Sequence, residues 1–336
     1  MKKFLFFIVL IVLGSWWVSH SLSPVDSTAK TPVFVKIESG ESLSRIAQSL
    51  NEKGLIRSPF LFKAYAKLAG SSSKLQAGTF GLKKSQSMRE IMEAIRSGKS
   101  EEMLVTIPEG YTVADIDRLM VEKGFGNPGD IIDCAFRCDF STFDFLPSKA
   151  AGSAQLGYGS RLEGYLFPET YAVNATEYVP KFFLERMLGT FRKKIVTGYE
   201  DQIRESGRTL PEIVTMASLI EEESRRGEER PIVAGILWKR IDNGVVLGVD
   251  ATTRYQLQKQ TDALTKADFE TVSAYNTRRN QGLPPSPIAN AGESAFLAAL
   301  KPEESRFWYY LHGPDGVIHY AVTNDEHNAN RGRYLR

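Results

Sequence analysis

The sequence predicts an α+β protein in which a small βα subdomain precedes a larger mixed α/β domain. Three observations support this prediction. Strand-like apolar runs followed by amphipathic helices recur in the first third of the chain, longer helices and proline-rich loops occupy the remainder, and the chain starts with an apolar run. A chain of 336 residues is long enough for two domains that each bury a hydrophobic core.

The composition is typical of a globular protein without a charge bias. Hydrophobic residues make up 42% and charged residues 24% of the chain, and the net charge is +2. This balance gives no electrostatic basis for binding nucleic acid, and the sequence has no glycine-rich phosphate loop. None of the histidines His20, His312, His319 and His327 lies at metal-ligand spacing from a cysteine or another histidine. We therefore expect no metal, no cofactor and no nucleic-acid partner.

Residues 1–22 form the predicted membrane anchor. Two lysines precede an apolar run from Phe4 to Leu22, and a spanning helix needs about 17–25 residues. The lysines predict a cytoplasmic N-terminus, and Trp16 and Trp17 suit the membrane interface. A cleaved signal peptide is the alternative, although the possible cleavage site is weak. We expect a single-pass protein of the inner (cytoplasmic) membrane whose remaining residues lie on the periplasmic or extracytoplasmic side.

A strand–turn–helix pattern occurs three times after a short linker. Residues 23–32, SPVDSTAKTP, are small and polar, which is typical of a linker. In each of the three repeats a hydroxyl residue precedes the apolar stripe of a predicted helix; these residues are Ser42, Ser87 and Thr112. These patterns place the small subdomain at residues 33–100.

The small subdomain has a second predicted helix between its first and second repeats. Ser58 is the expected N-cap, Pro59 suits the first helical position, and Gly70 marks the end. A return strand is expected at Gln76–Leu82. The first repeat, IESGESLSRIA, resembles the LysM module, which binds glycans that contain N-acetylglucosamine. The residues that carry this resemblance are Gly40, Glu41, Ser42, Leu43, Ile46 and Ala47.

Cys134 and Cys138 are the only cysteines. A disulfide is permitted in an exported domain. On one continuous helix, however, a spacing of four residues holds the two Cα atoms near the long limit for a disulfide. The spacing therefore favours an unbridged buried pair, with a disulfide as the alternative.

Three consecutive glutamates end a predicted helix in the larger domain, residues 101–336. Thr209 and Glu212 form a capping box, and an apolar run follows. At about 100° per residue, Glu222 points into solvent, whereas Glu221 and Glu223 lie at the two edges of the apolar face. Partial burial raises the pKa of a carboxyl group and suits it to general acid catalysis. Salt bridges to nearby arginines are the alternative, and the spacing alone leaves both possibilities open.

Several segments resemble the endolytic murein transglycosylase (YceG-like) family. They are TIPEGYTVADI, RLEGYLFPETY, MASLIEEES, GVVLGVDATTRYQL, YNTRRNQGLPPSPIANAGES and HGPDGVIHYAVTNDEHN, in the order of the family. Carried over by motif, the catalytic glutamate of the family falls on Glu221. The resemblance makes Glu223 and Asp250 supporting residues, with a helix N-cap as the alternative for Asp250. It also suggests that Tyr275 and Asn276 bind substrate, with a rigid connector as the alternative for their loop. Glu163 and Tyr165 lie among aromatic residues, a mixture that suits sugar binding or, as the alternative, a corner of the core.

The resemblance implies cleavage of the MurNAc–GlcNAc bond within peptidoglycan glycan strands. The expected product carries a 1,6-anhydroMurNAc end, and the expected role is the termination of nascent strands. One carboxyl group can act first as acid and then as base, because the 6-hydroxyl of the sugar is the nucleophile. The expected partners are glycan strands, cell-wall synthases and the inner membrane. A lysozyme-like hydrolase and a non-enzymatic peptidoglycan-binding scaffold are the alternatives.

Overall fold

The structure, a computed structural model, describes most of the chain in two compact units. Unit 1 comprises Met1–Val105, Met120–Asn127 and Tyr171–Val179; unit 2 comprises Thr106–Leu119, Pro128–Thr170 and Pro180–Arg336. Helices and small two-stranded sheets are mixed, which confirms the α+β class. The residues described are 14–29, 32–72, 74–98, 102–152, 158–174, 178–224, 226–259 and 263–335.

Unit 1 is built on an antiparallel pair of strands covered by helices. Strands β1 and β2 pair with Val35 opposite Phe80, and both side chains enter the core together with Phe62 and Ile91. The elements are α1 (residues 14–22), β1 (Pro32–Ile37), α2 (Leu43–Glu52), α3 (Pro59–Leu68), β2 (Gly78–Lys83) and α4 (Met88–Ser97).

The predicted helix starts of unit 1 are confirmed. Ser42, Ser58 and Ser87 each accept a hydrogen bond from a backbone N–H in the first turn of the helix that follows. Ser87 also forms the reciprocal capping box with Glu90. These signals are local in sequence, and they therefore predict the helix starts well.

The predicted anchor falls largely outside the described residues, since residues 1–13 are not described. Residues 14–22 form helix α1. Within the described part of the chain, no helix is both long enough and apolar enough to cross a membrane.

Unit 1 also contains two segments that lie later in the sequence. Gly124 has a φ of +83°, and a Cβ added there would lie 2.7 Å from Cβ of Phe34. The ring of Phe125 packs against the rings of Phe34 and Tyr178. The sequence patterns had placed residues 120–127 and 171–179 in the larger domain.

Unit 2 is mainly helical and is organised around one buried helix, α9. Helices α10, α11 and α13 pack against α9, and every residue from Ile213 to Ile220 is buried. Strands β3 (Glu102–Thr106) and β4 (Thr170–Asn174) lie almost entirely in unit 1, and helix α5 (Val113–Glu122) begins in unit 2 and ends in unit 1. The other elements of unit 2 are α6 (Asp130–Arg137), α7 (Pro180–Phe191), a π-helical turn (Arg192–Thr197), α8 (Glu200–Glu205), α9 (Leu210–Glu223), α10 (Arg230–Asp242), α11 (Asp250–Leu257), α12 (Lys266–Glu270), α13 (Glu293–Leu300), β5 (Tyr309–His312), β6 (Ile318–Ala321) and α14 (Asn324–Tyr334).

Cys134 and Cys138 form a disulfide, so the preference for an unbridged pair is wrong. Helix α6 ends at Arg137, and Cys138 has an extended backbone with φ −70° and ψ 151°. The Cα atoms are therefore 4.8 Å apart, which lies within the range of disulfides. A disulfide is possible because helix α6 does not continue through Cys138, as the sequence spacing on one helix would require.

Candidate active site at the end of helix α9

Helix α9 begins with the predicted capping box and ends at the three glutamates. Thr209 Oγ1 accepts from the Glu212 N–H, and the Glu212 carboxylate accepts from the Thr209 N–H at 2.8 Å. The helix ends at Glu223 because Ser224 has an extended backbone. Successive residues of a helix differ by about 100° in direction. The three carboxyl groups therefore enter three different surroundings.

Glu221 is held in a buried ion pair. Its Oε1 lies 2.6 Å from Nη2 of Arg230, and the two side chains are 8% and 9% exposed. Its Oε2 accepts from the Gly292 N–H at 3.0 Å. Burial raises the pKa of Glu221, whereas the Gly292 N–H and Arg230 both favour the charged form. The salt bridge expected as an alternative is thus present for Glu221, and it links α9 to α10. The hydrogen bond from Gly292, the N-cap residue of α13, links the same carboxylate to α13.

Glu109 approaches the same ion pair from the TIPEGY segment. The Glu109 carboxyl group lies directly against Gly292, so a Cβ added at Gly292 would displace this flexible side chain. The negative charge of Glu109 also contributes to the raised pKa of Glu221. Glu109 thus adds a like charge near Glu221, whereas Arg230 and the Gly292 N–H hold the Glu221 carboxylate in place.

Glu222 has an exposed side chain, as its helical position predicts. It nevertheless lines a small cleft of about 130 Å³ together with Thr112, Arg254 and Tyr255. Loss of solvent in this concave surface, followed by the charges of Glu221 and Glu223, raises the pKa of Glu222 to about 7. Glu222 is thus exposed within a cleft and is not on an open surface.

Glu223 faces a larger cavity of about 460 Å³. Its Oε2 accepts a hydrogen bond of 2.9 Å from the hydroxyl of Tyr310. Burial raises the pKa of Glu223 to about 7; the charge of Asp250 adds to this shift, while Tyr310 and Arg278 oppose it. A carboxyl group with this pKa exchanges a proton readily near neutral pH.

The lining of this cavity is polar and aromatic, which suits a sugar or another polyhydroxylated ligand. Its volume lies within the usual range of ligand sites, about 300–1,000 Å³. Guanidinium, amide and hydroxyl groups can hydrogen-bond to sugar hydroxyls, and aromatic rings can pack against sugar rings. The lining includes Arg240, Asp250, Arg278, Tyr309, Tyr310, His327, Asn328 and Arg331.

Asp250 lies at this cavity but does not cap helix α11. The N-cap is Val249, and Asp250 is the first helical residue, so the N-cap alternative is wrong. Its Oδ1 pairs with Nη2 of Arg278 at 2.6 Å. The guanidinium of Arg278 also lies over the ring of Phe269, 4.5 Å from the centroid. This pairing holds an acid and a cation beside Glu223.

Arg240 forms another part of the cavity wall. Its guanidinium donates to the carbonyl oxygens of Trp308, Val246 and Leu247, and it lies over the ring of Tyr309 at 4.8 Å. Arg240 therefore joins α10, the segment before α11, and the start of β5. These contacts hold Arg240 in place in the lining of the cavity.

Glu163 is fully buried instead of facing a cleft. Its Oε1 accepts from the Val113 N–H at 3.0 Å, and its Oε2 accepts from the hydroxyl of Tyr255 at 2.8 Å. Burial raises the pKa of Glu163 to about 8. Because Val113 begins α5 and Tyr255 lies on α11, this carboxyl group connects two elements of the interior.

The other three predicted substrate-binding residues also lie in the interior. Tyr165 has no exposed surface and packs against the ring of Phe191. The Tyr275 hydroxyl lies 2.7 Å from Oγ of Ser286. Asn276 is 1% exposed and donates to two backbone carbonyl oxygens. In this conformation these side chains offer almost no surface to a sugar, because they are packed into the interior of unit 2.

The structure thus places Glu223 and Asp250 at one cavity, whose lining includes neither Glu221 nor the four interior residues. Sequence reasoning missed Tyr310, Arg278 and Arg240 as residues of the cavity. Arg278 lies in the YNTRR segment, and Tyr310 lies in a short aromatic strand, WYYLH. Arg278 could have been predicted as a site residue because it is a charged residue within a segment that resembles the family. Nothing in the sequence distinguishes Tyr310 from the aromatic residues beside it, so its place at the cavity is seen only in the tertiary structure.

Helix α9 presents the titratable carboxyl group of Glu223 to a polar, aromatic cavity. This arrangement is typical of an enzyme that transfers protons to and from a polar substrate. The chain belongs to the YceG-like family, whose pattern it matches over residues 35–333. It is similar to the endolytic murein transglycosylase of Bacillus subtilis (strain 168), with 30% identity over 334 residues that cover 97% of this chain and 91% of that protein.

Two further similarities support the family assignment. The endolytic murein transglycosylase of Streptococcus pneumoniae serotype 2 (strain D39) is 27% identical over 358 residues, which cover 99% of this chain and 64% of that protein. A crystal structure of a yceG-like protein from Listeria monocytogenes aligns with a TM-score of 0.61 at 28% identity. That alignment covers 88% of this chain and 98% of the Listeria chain.

Proposed function

We propose that this protein is an endolytic lytic transglycosylase, a carbon–oxygen lyase that acts on the glycan strands of peptidoglycan. Relatives that are 27–30% identical over nearly the whole chain carry the name endolytic murein transglycosylase. The observation that carries the proposal is Glu223, a carboxyl group with a pKa of about 7 at the wall of a polar, aromatic cavity.

We assign the proton transfer to Glu223, although the motif resemblance pointed to Glu221. Both oxygens of Glu221 are engaged, one by Arg230 and one by the Gly292 N–H. An acid in that position would have to break a buried ion pair before it could donate a proton. Glu223 adjoins the larger cavity and has the raised pKa that a general acid requires.

In the proposed reaction Glu223 acts twice. Its carboxyl group first donates a proton to the glycosidic oxygen between MurNAc and GlcNAc, and the C1–oxygen bond of MurNAc breaks. The carboxylate then accepts the proton of the MurNAc 6-hydroxyl, whose oxygen bonds to C1 and closes the 1,6-anhydro ring. Because the nucleophile belongs to the same sugar, no water molecule has to be positioned.

Two neighbours support this cycle. The Tyr310 hydroxyl donates to Oε2 of Glu223 and thereby stabilises the carboxylate between the two proton transfers. The Asp250 carboxylate lines the same cavity and can stabilise the positive charge that develops at C1. Neither residue has to change its own protonation state.

A lysozyme-like hydrolase is the second candidate, because Glu223 and Asp250 provide two carboxyl groups at one cavity. A hydrolase usually uses such a pair to activate water or to form a covalent intermediate. The products distinguish the two reactions. Transglycosylation leaves an anhydro end, whereas hydrolysis leaves a reducing end that is heavier by one water molecule.

The test is digestion of purified, uncross-linked glycan strands by the full-length protein in detergent, followed by mass spectrometry. We expect internal cleavage and anhydroMurNAc ends. The Glu223→Gln protein, prepared identically, is the control for contaminating enzymes. Reducing ends from the wild type alone would favour the hydrolase, and intact strands would contradict both candidates.

We further propose that residues 1–22 anchor the protein in the inner membrane with unit 2 outside the cytoplasm. The sequence-based support is the apolar run from Phe4 to Leu22 behind two lysines. An anchored enzyme would meet glycan strands near the membrane, where cell-wall synthases produce them, and could terminate nascent strands. The LysM-like residues 33–100 are proposed to contribute glycan contacts.

A further inference from the structure

Arg57 holds the chain that follows helix α1. Its Nη1 donates to the carbonyl oxygens of His20, Ser23 and Pro24 at 3.1, 2.9 and 2.7 Å. Its Nη2 donates to the carbonyl oxygen of Val25 at 3.1 Å. One guanidinium group therefore satisfies carbonyl groups at the end of α1 and in the turn after it.

Other contacts fix the same stretch on unit 1. Ser21 is buried, and Leu22 packs against the hydrophobic core of the unit. The Asp26 N–H donates to the carbonyl oxygen of Lys84 at 3.0 Å. The first part of the predicted linker is thus bound to unit 1, so unit 1 lies directly at the end of the predicted membrane anchor.

Helix α3 begins two residues after Arg57 and has an unusual exposed face. Phe60 is 67% exposed and Leu68 is 88% exposed, whereas Phe62 on the opposite face is buried in the core. Lys63 and Lys67 lie on the same side as Phe60 at helical spacing. The helix sequence, PFLFKAYAKL, contains no acidic residue.

We propose that this face of α3, defined by Phe60, Lys63, Lys67 and Leu68, lies in the headgroup layer of the membrane that holds the anchor. Phe60 follows Arg57 by three residues, so their Cα atoms are within about 11 Å of each other. The headgroup layer on one side of a bilayer is about 5–7 Å thick. Because Arg57 binds the chain at the end of the anchor, the start of α3 lies close to this layer.

The chemistry of the face fits an anionic lipid surface. Apolar side chains of an interfacial helix enter the boundary between headgroups and acyl chains, and lysines bind anionic headgroups. Trp16 and Trp17 of α1 are exposed and suit the same layer. The inference rests on the proposed membrane anchor, and it adds a second membrane contact that would restrict the movement of unit 1.

The test uses nitroxide labels on the full-length protein in vesicles of phosphatidylglycerol and phosphatidylethanolamine. Because Cys134 and Cys138 are joined in a disulfide, an introduced cysteine provides the free thiol for labelling. The labelled variants are Phe60→Cys and Leu68→Cys, and the control is Glu93→Cys on the exposed face of α4. Relaxation by oxygen reports lipid contact, and relaxation by a water-soluble nickel complex reports contact with water.

We expect the ratio of oxygen to nickel relaxation to be severalfold higher for labels at residues 60 and 68 than for the label at residue 93. The double variant Lys63→Glu/Lys67→Glu should reduce this ratio in the anionic vesicles. Water-like ratios at all three positions would overturn the proposal. It would also be overturned if glycan strands, added without vesicles, lowered nickel relaxation equally at all three positions.

Failure of the proposal can be separated from failure of the anchor and of the activity. Flotation of the protein with the vesicles tests the anchor, and cleavage of soluble glycan strands tests the enzyme. A protein that floats, cleaves strands and yet gives water-like labels would overturn the contact between α3 and lipid alone. A protein that does not float would overturn the anchor and the inference that rests on it.

Discussion

Glu221 and Glu223 are two residues apart on α9, but they occupy different electrostatic surroundings. Glu221 faces a buried arginine and a backbone N–H, which both favour its charged form. Glu223 faces Tyr310 and a cavity that also holds the carboxylate of Asp250. The end of one helix therefore places two identical carboxyl groups in different surroundings, and we propose that Glu223 is the reactive one.

Glu163 gives a prediction about stability and pH. Its pKa is about 8 in the folded protein, whereas a free glutamate has its ordinary value of 4.5. Since the folded state holds this proton more tightly, the stabilisation by the neutral carboxyl group is complete below about pH 4.5 and is lost as pH rises towards about 8. Wild type should thus lose about 2 kcal/mol relative to Glu163→Gln between about pH 6 and pH 8.

Urea denaturation of both proteins at several pH values measures this difference. Glu222 and Glu223 are present in both proteins, so their contributions cancel in the comparison. A constant difference in unfolding free energy across this range would contradict a buried Glu163 that is neutral at low pH.

At the scale of secondary-structure elements, the ion pair between Glu221 and Arg230 fixes α9 to α10. Removing one partner of a buried ion pair leaves the other charge unpaired and costs about 3–5 kcal/mol. We expect Arg230→Met to lower the unfolding free energy by this amount and to reduce activity, because the end of α9 that carries Glu223 loses its support.

The matched control is Arg204→Met. Arg204 pairs with Asp201 on α8, but both side chains are largely exposed. Exposed pairs contribute about 0–1 kcal/mol, so this variant should unfold nearly as wild type does. Chemical denaturation measures both variants, and equal losses of stability would contradict the structural role of the Arg230 pair.

Local signals predicted where helices begin, but not how they are buried. The hydroxyl caps at Ser42, Ser58, Ser87 and Thr209 form as expected, because each cap depends on residues within one helical turn. The sequence pattern suggested an amphipathic α9, whereas the structure buries it on all sides through Ile220. That burial depends on α10, α11 and α13, which no local pattern contains.

The site was predictable only in part for the same reason. Helical spacing separated Glu222 from its two neighbours, and the resemblance indicated that the end of α9 matters. The choice between Glu221 and Glu223 depends on Arg230, Gly292 and Tyr310. Gly292 and Tyr310 lie 71 and 87 residues from the glutamates that they contact.

At the scale of the whole molecule, the sequence patterns located one boundary near residue 100. Unit 1 also includes residues 120–127 and 171–179, and the packing of Phe125 against Phe34 explains why. A single change of composition along the chain cannot reveal segments that return to an earlier unit, because such a return depends on tertiary contacts.

The anchor gives a prediction for the intact protein. The apolar run and weak cleavage site predict that the mature protein keeps its N-terminal residues and fractionates with the inner membrane. Mass spectrometry of the intact protein, isolated from membranes, measures this directly. A mature N-terminus near Leu22 would instead identify a cleaved signal peptide.

The central claim is that Glu223 transfers the proton. The most direct test measures the release of anhydro-ended products by Glu221→Gln, Glu222→Gln and Glu223→Gln at equal concentration, with circular dichroism to verify folding. We predict that Glu223→Gln loses at least about 10²-fold in rate, since acid–base catalysis contributes about 10²–10⁴-fold. Glu222→Gln should remain close to wild type, and Glu221→Gln should be less stable but measurably active. A folded, inactive Glu221→Gln beside an active Glu223→Gln would contradict the assignment, and normal cleavage by all three would remove the end of α9 from the reaction.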